Sequence, residues 1–97
     1  MVLFVYIVEC SDGSFYTGVT NNLDRRIEEH NEGLNYKSYT YNRRPVKLVY
    51  YESHSDPYYA IAREKQIKGW SRKKKIAMID DAWEKLPELS KRKSKKA

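Results

Sequence analysis

The chain predicts a small α+β domain, a three-stranded antiparallel sheet flanked by helices in the order β-β-α-β-α-α. Three observations carry this reading. "VLFVYIVE" (residues 2–9) is rich in β-branched and aromatic residues and apolar on both faces, so it reads as a central strand. "SFYTGVT" follows the turn residues "SDG" and reads as its antiparallel partner. Two later stretches, "NNLDRRIEEHNEG" and "SDPYYAIAREKQIKG", open on capping residues and close on glycine, as helices do.

The remaining elements follow in order. The first helix takes its cap from Asn21 or Asn22 and stops at Gly33, and residues 34–44 read as a loop or an irregular helical turn. "PVKLVYYES" is a third strand. The second helix carries proline in its first turn and closes at Gly69. "SRKKKIAMIDDAWEKLP" is the last helix, with Ile76, Ile79, Trp83 and Leu86 on one face and Pro87 as terminator. This divides the chain into a domain over residues 1–86 and a basic, disordered tail over 87–97.

Composition bounds the function. Ninety-seven residues allow one modest core. The net charge is +6, but Lys91, Arg92, Lys93, Lys95 and Lys96 supply most of it, leaving 14 basic against 13 acidic residues before them. That tail is either a solvated end or a nonspecific phosphate contact. Cys10 is the only cysteine, which excludes a disulfide framework and a thiolate zinc cluster within one chain, and no disulfide-linked partner is expected. The two histidines, His30 and His54, are too far apart in sequence to argue for zinc. "MVLFVYIV" is too short to span a bilayer and lacks the features of a signal peptide, so a cytoplasmic monomer without membrane contact is expected.

Register gives the first functional lead. Directly opposed residues of an antiparallel hairpin share a face. A three-residue loop, Ser11-Asp12-Gly13, places glycine where a left-handed residue is wanted. Tyr6 then faces Gly18, and Tyr16 stands diagonally beside Tyr6 on the same face. Gly18 would leave an open pocket between two phenolic hydroxyls; the alternative is a pair of core tyrosines with satisfied hydroxyls.

The helices add charged groups to that face. At 100° per residue Leu23, Ile27, His30 and Leu34 form one stripe, with Arg26 at its flank and Arg25 pointing into water. Arg26 and His30 are one turn apart and can address one anion. On the second helix Glu64 falls between Ile61 on one side and Ala60 and Ile67 on the other. A carboxylate on an apolar face needs a partner, either a metal ion or Arg26 in a buried salt bridge.

Two tyrosines flanking a glycine, then an arginine and a histidine on a helix, then a glutamate on a later helix, resemble the GIY-YIG nuclease superfamily. "FVY" at 4–6 takes the place of its first motif and "YTG" at 16–18 that of its second. "NLDRRIEEH" matches the asparagine-leucine, arginine and histidine pattern, and "AREKQIKGW" carries the glutamate. The resemblance covers residues 2 to about 80 and is nearest to the small single-domain members. Phe4 stands where the family name has glycine and Thr17 where it has isoleucine.

The resemblance implies metal-dependent hydrolysis of phosphodiester bonds in nucleic acid, DNA ahead of RNA. Tyr16 would be the general base and Tyr6 would orient the water. Arg26 would stabilise charge on the phosphate, and His30 would hydrogen-bond the phosphate or assist proton transfer. Glu64 would hold one Mg²⁺ or Mn²⁺ ion, weakly without substrate. An ordinary tyrosine, with a pKa of about 10, is a poor base unless positive charge lies close. A binding surface is also expected. Lys37, Arg43, Arg44 and Lys47 cluster among Tyr36, Tyr39 and Tyr41, and Arg72, Lys73 and Lys74 open the last helix against its dipole. Any one of these lysines is equally well read as solvated surface charge. Two rival readings are a nucleic-acid-binding module with little cleavage, and a protein-interaction adaptor using exposed tyrosines with Trp70 or Trp83.

Overall fold

The hairpin forms as a three-residue loop requires. In the computed structural model, which describes residues 1–82, β1 (Leu3–Glu9) and β2 (Phe15–Thr20) pair with Tyr6 opposite Gly18 and Val8 opposite Tyr16. Gly13 takes the left-handed position with φ of 85°. The Cys10 N–H donates to the Ser14 carbonyl at 2.8 Å and the Gly13 N–H to the Cys10 carbonyl at 2.9 Å. Asp12 supports the turn by accepting from the Ser14 amide and hydroxyl at 3.0 and 2.6 Å.

The third strand, β3 (Lys47–His54), pairs with the other side of β1, so the order is β2-β1-β3 and β2 is an edge. The β1–β3 register shifts between Ile7 and Val8. This bulge lets Val49 and Tyr50, neighbours in sequence, both join the same core.

Helices cover both faces of the sheet. On one face α1 (Leu23–Glu32) packs Leu23 and Ile27 against Tyr6, Val8, Cys10 and Val46. On the other, α2 (Pro57–Lys68) and α3 (Arg72–Ala82) pack Ala60, Ile67 and Ile79 against Val5, Ile7, Val49 and Tyr50. The caps are those the residues call for. Asn22 accepts from the Arg25 amide, Gly33 ends α1 with φ of 70°, and Asp56 caps α2 ahead of Pro57.

Polar pins supplement these contacts. No residue of α1 is fully buried, yet the Asn31 amide joins it to the sheet. Its Nδ2 donates to the Val46 carbonyl at 3.1 Å and its Oδ1 accepts from the Val46 N–H at 2.7 Å. On the opposite face Arg63 of α2 donates to Glu52 of β3 at 2.8 Å, where His54 also bonds at 2.6 Å and the Tyr50 hydroxyl donates to the same carboxylate. Burial alone would raise the Glu52 carboxyl, but Arg63, Tyr50 and His54 together hold it below its ordinary range. Arg63 immediately precedes Glu64, so this pin fixes the rotation of α2 about its own axis.

Several expectations are corrected. Leu34 follows the stop at Gly33 and is 67% exposed, so it does not extend the α1 stripe. Ile61 is 43% exposed, leaving Ala60 and Ile67 as the buried neighbours of Glu64. The third strand begins at Lys47 rather than Pro45. Residues 34–44 follow the expected irregular path, with one 3₁₀ turn over Tyr41–Arg43. Trp83, Leu86, Pro87 and the tail over 87–97 lie outside the described residues.

The space over Gly18 is filled, not open. A Cβ there would sit 2.5 Å from Tyr6 Oη and 2.7 Å from Cζ, because the phenol lies flat across the β2 backbone. Tyr6 is fully buried and has nowhere to retreat. Gly18→Ala is therefore expected to destabilise the fold by about 1–3 kcal/mol in urea titrations. Tyr6→Phe in the same chain, which removes the nearest atom, should recover part of that loss. A neutral Gly18→Ala would contradict this packing.

Candidate active site

Tyr6 reaches across Gly18 because the hairpin register puts both on the α1 face. Its hydroxyl meets His30 Nε2 at 2.9 Å. The other ring nitrogen, Nδ1, meets Thr40 Oγ1 at 2.8 Å, and Thr40 shares a further hydrogen bond with Ser38 Oγ at 3.1 Å. A half-buried chain of side chains thus links Tyr6, through His30, to the loop over residues 34–44. Thr40 is 1% exposed and anchors that loop from inside.

Charge and burial set the directions of these bonds. Burial first, then the neighbouring Tyr16, push Tyr6 up to about 12, while the Arg26 guanidinium pulls the other way. Burial and Arg26 hold His30 below its ordinary value, with Glu29 opposing them, so the imidazole is neutral near pH 7. Nε2 is the acceptor that the protonated Tyr6 hydroxyl meets, so with a neutral imidazole the arrangement that uses every proton has Tyr6 O–H donating to Nε2 and His30 Nδ1–H donating to Thr40.

A cleft of about 330 Å³ opens above this chain, lined by Tyr16, Arg26, Glu29, His30, Thr40 and Tyr41 among others. The Tyr16 and His30 rings meet edge to face with centroids 5.3 Å apart, and Tyr6 and Tyr16 lie 6.4 Å apart. Tyr16 stacks on Tyr39 at 6.0 Å, and Tyr39 in turn lies 3.9 Å beneath the Arg43 guanidinium. Arg26 Nε faces Glu29 at 3.3 Å, while Arg25 is the more exposed of the two arginines, as the helical wheel requires. The structure therefore brings Tyr6, Tyr16, Arg26 and His30 together.

Glu64 stands apart from the lining of that cleft. Its carboxylate does not bridge to Arg26. It binds Lys68 Nζ, one turn along α2, at 2.7 Å. The Glu64 side chain is 13% exposed and that of Lys68 50%. Lys68 Nζ also lies 6.0 Å from the centre of the Tyr16 ring. Because β2 is an edge strand, Lys68 of α2 can come close to Tyr16, and the Glu64 charge acts on Tyr6. Among the described residues no group of three or more His, Cys, Asp or Glu could hold a metal ion.

The basic residues divide into two kinds. Arg43 donates to Asp12 at 3.1 Å and to the Tyr39 carbonyl at 2.7 Å. Arg44 donates to the Tyr41 carbonyl at 2.7 Å and lies over the Tyr41 ring, and Arg72 donates to the Gly13 carbonyl at 2.6 Å and lies over Phe15. These three brace the loops as much as they charge the surface. Lys37, Lys73 and Lys74 are exposed, with Lys37 near Tyr36 and Lys74 over Trp70.

Sequence reasoning missed Thr40, Ser38, Glu29, Asn31 and Lys68. Thr40 and Ser38 flank Tyr39 in "SYT", a pattern with no signal of its own. Glu29 and Lys68 were visible as helical neighbours of Arg26 and Glu64, at spacings of three and four residues.

Comparison with known proteins decides the family. The family described as the GIY-YIG catalytic domain matches residues 2–77. The chain belongs to the GIY-YIG family. UPF0213 proteins from Staphylococcus aureus strains Mu3 and Mu50 are each 49% identical over 78 residues, covering 80% of this chain and 94% of theirs. The solution NMR structure of the UPF0213 protein BH0048 from Bacillus halodurans superposes with a TM-score of 0.54 at 40% identity, over 81% of this chain and 83% of that one. A GIY-YIG domain is a nuclease-type domain, so interaction with nucleic acid follows from the family. No helix among the described residues is long and apolar enough to cross a membrane.

The raised tyrosines make a stability prediction. Tyr6 and Tyr50 are each pushed up to about 12, burial being the largest cause for both. A phenol raised in the folded state stabilises fully below the unfolded value of about 10, and this is lost as pH rises through the folded value. Tyr6→Phe should flatten the fall in urea stability from pH 10 to 12, leaving the share due to Tyr50. An unchanged fall would show that Tyr6 titrates as an ordinary tyrosine.

Proposed function

We propose that this GIY-YIG domain is an endonuclease that hydrolyses phosphodiester bonds in nucleic acid, with DNA as the first substrate class, assisted by Mg²⁺ or Mn²⁺. One observation carries the proposal. Arg26, His30 and Tyr16 line one cleft while Tyr6, protonated and buried, holds His30 from below. No structural requirement of a small core explains an arginine, a histidine and two tyrosines around an open concavity.

The two tyrosines take different parts. Tyr6 is kept as a phenol and its proton is engaged by His30, so it positions the imidazole and is unsuited to be the base. Tyr16 is half-buried at the cleft wall with Arg26 nearby and Lys68 beyond its ring. Having given its own proton to solvent, the Tyr16 phenolate takes the proton of the attacking water, with those two cations facing the charge of its oxygen. Arg26 reaches the phosphate by exchanging Glu29 for a phosphate oxygen, a bidentate contact suited to the guanidinium. Both His30 nitrogens are already bonded inside the protein. Its part is therefore proton handling along the chain to Thr40, and the phosphate falls to Arg26.

Glu64 fits a single hard cation that keeps most of its waters, because it offers one shielded carboxylate outside any cluster of three or more such ligands among the described residues. Such an ion would supply charge neutralisation at the phosphate and leaving oxygen.

The alternative, a module that binds nucleic acid and cuts little, draws on the internal pairing of both key charges, Arg26 with Glu29 and Glu64 with Lys68. Incubation with single- and double-stranded DNA and RNA, in Mg²⁺, Mn²⁺ or chelator, separates the two. We expect metal-dependent cleavage that falls roughly a hundredfold or more in Tyr16→Phe and in Arg26→Ala, with circular dichroism unchanged. Tight binding with no cleavage of any substrate in either metal would favour the binding module.

A further inference from the structure

We propose that Lys68 is a resident counter-ion for Glu64, a plug that nucleic-acid phosphate draws away so that metal and nucleic acid bind cooperatively. This rests on the reading of Glu64 as the metal-holding carboxylate and adds a regulator to that site.

Four observations converge on it. Glu64 is a mostly buried carboxylate on the Ala60–Ile67 stripe, and such a group needs a positive partner. The partner in the metal-free protein is the Lys68 ammonium, in direct contact at 2.7 Å. Lys68 itself is half exposed, so its stem is free to swing while Glu64 stays in place. The ammonium is also 6.0 Å from the ring centre of Tyr16, which lines the cleft where a phosphate would sit. One flexible cation thus stands between the carboxylate and the substrate side of the site.

Pairing has two consequences. A divalent cation approaching Glu64 must displace Lys68 and is repelled by it, which weakens metal binding in the free protein. A phosphate offers Lys68 an alternative anion, and its departure uncovers Glu64. By linkage the effect is reciprocal, since metal on Glu64 releases Lys68 for phosphate. The outer neighbours support the swing. Lys65 is exposed on the same helix, and Arg63 is held by Glu52, so neither is placed to take over the pairing. The arrangement keeps the carboxylate neutralised between turnovers and ties metal occupancy to substrate.

The test measures Mn²⁺ binding by electron paramagnetic resonance of the free ion, independent of cleavage. Proteins with Tyr16→Phe as a common background to stop turnover are titrated alone and with a short DNA oligonucleotide. Lys68→Met, which keeps the stem and removes the charge, should bind Mn²⁺ roughly fivefold or more tightly than the Lys68 protein in the absence of DNA. It should also lose the tightening that DNA produces. Lys68→Arg should behave like the parent, and Glu64→Gln should abolish the protein-dependent binding in all cases. The salt slope of DNA binding should fall by roughly one unit in Lys68→Met. If Lys68→Met binds Mn²⁺ no more tightly than the parent, the plug is refuted while the metal site stands. If Mn²⁺ binding survives Glu64→Gln, or no protein binds it with or without DNA, the metal reading of Glu64 fails and the plug with it.

Discussion

The Tyr6–His30 hydrogen bond is the interaction on which the candidate site depends. Tyr6 sits at the centre of the sheet, His30 on α1 over that face, and 24 residues separate them in the chain. The bond exists because Gly18 carries no side chain to block the phenol from crossing β2. Remove that permission and the phenol must tilt, the imidazole loses its acceptor geometry, and Thr40 loses the partner that orders the loop. The packing of a strand pair thus dictates the tautomer of a histidine at the floor of a cleft.

A second constraint is that polar contacts supplement a smaller apolar cluster on this face of the molecule. Leu23 and Ile27 are the apolar contribution of α1, and neither is fully buried. Asn31 and His30 supply directional bonds instead, which fix the helix in rotation where apolar packing alone would allow slippage. The opposite face is the reverse, an apolar core of Val5, Ile7, Ala60, Ile67 and Ile79 with one polar pin at Glu52. Stability is concentrated under α2 and α3, and chemistry under α1. Glu64 and Lys68 belong to α2, and the Lys68 ammonium, paired with Glu64, comes within 6.0 Å of the Tyr16 ring, which links the two sides.

Much of this was legible in the chain. Gly13 in a three-residue loop set the register, and the register alone placed Tyr6, Gly18 and Tyr16 on one face. The helical wheel separated Arg26 from Arg25, and the caps at Asn22, Gly33 and Asp56 came from local chemistry that does not depend on the rest of the fold. What could not be read was long-range and polar. The His30–Thr40 and Asn31–Val46 contacts join residues with no shared periodicity, and their side chains carry no propensity that marks them. Glu64 shows the same limit from the other side. Its need for a partner was evident, and Arg26 or a metal ion was expected to meet it, but the geometry pairs it with Lys68. Leu34 and Ile61 failed for a simpler reason, since an ideal wheel does not know where a helix ends or how far its partner sheet extends.

The central claim is a neutral His30 with its proton on Nδ1, held between Tyr6 and Thr40. Long-range ¹H–¹⁵N correlation spectra of the imidazole ring test it directly. The account predicts an Nδ1–H tautomer at pH 7, a protonation midpoint below the ordinary histidine value, and an Nε2 shift that changes when Tyr6 is replaced by phenylalanine. An imidazolium at pH 7, or a proton on Nε2 that ignores Tyr6, would contradict it.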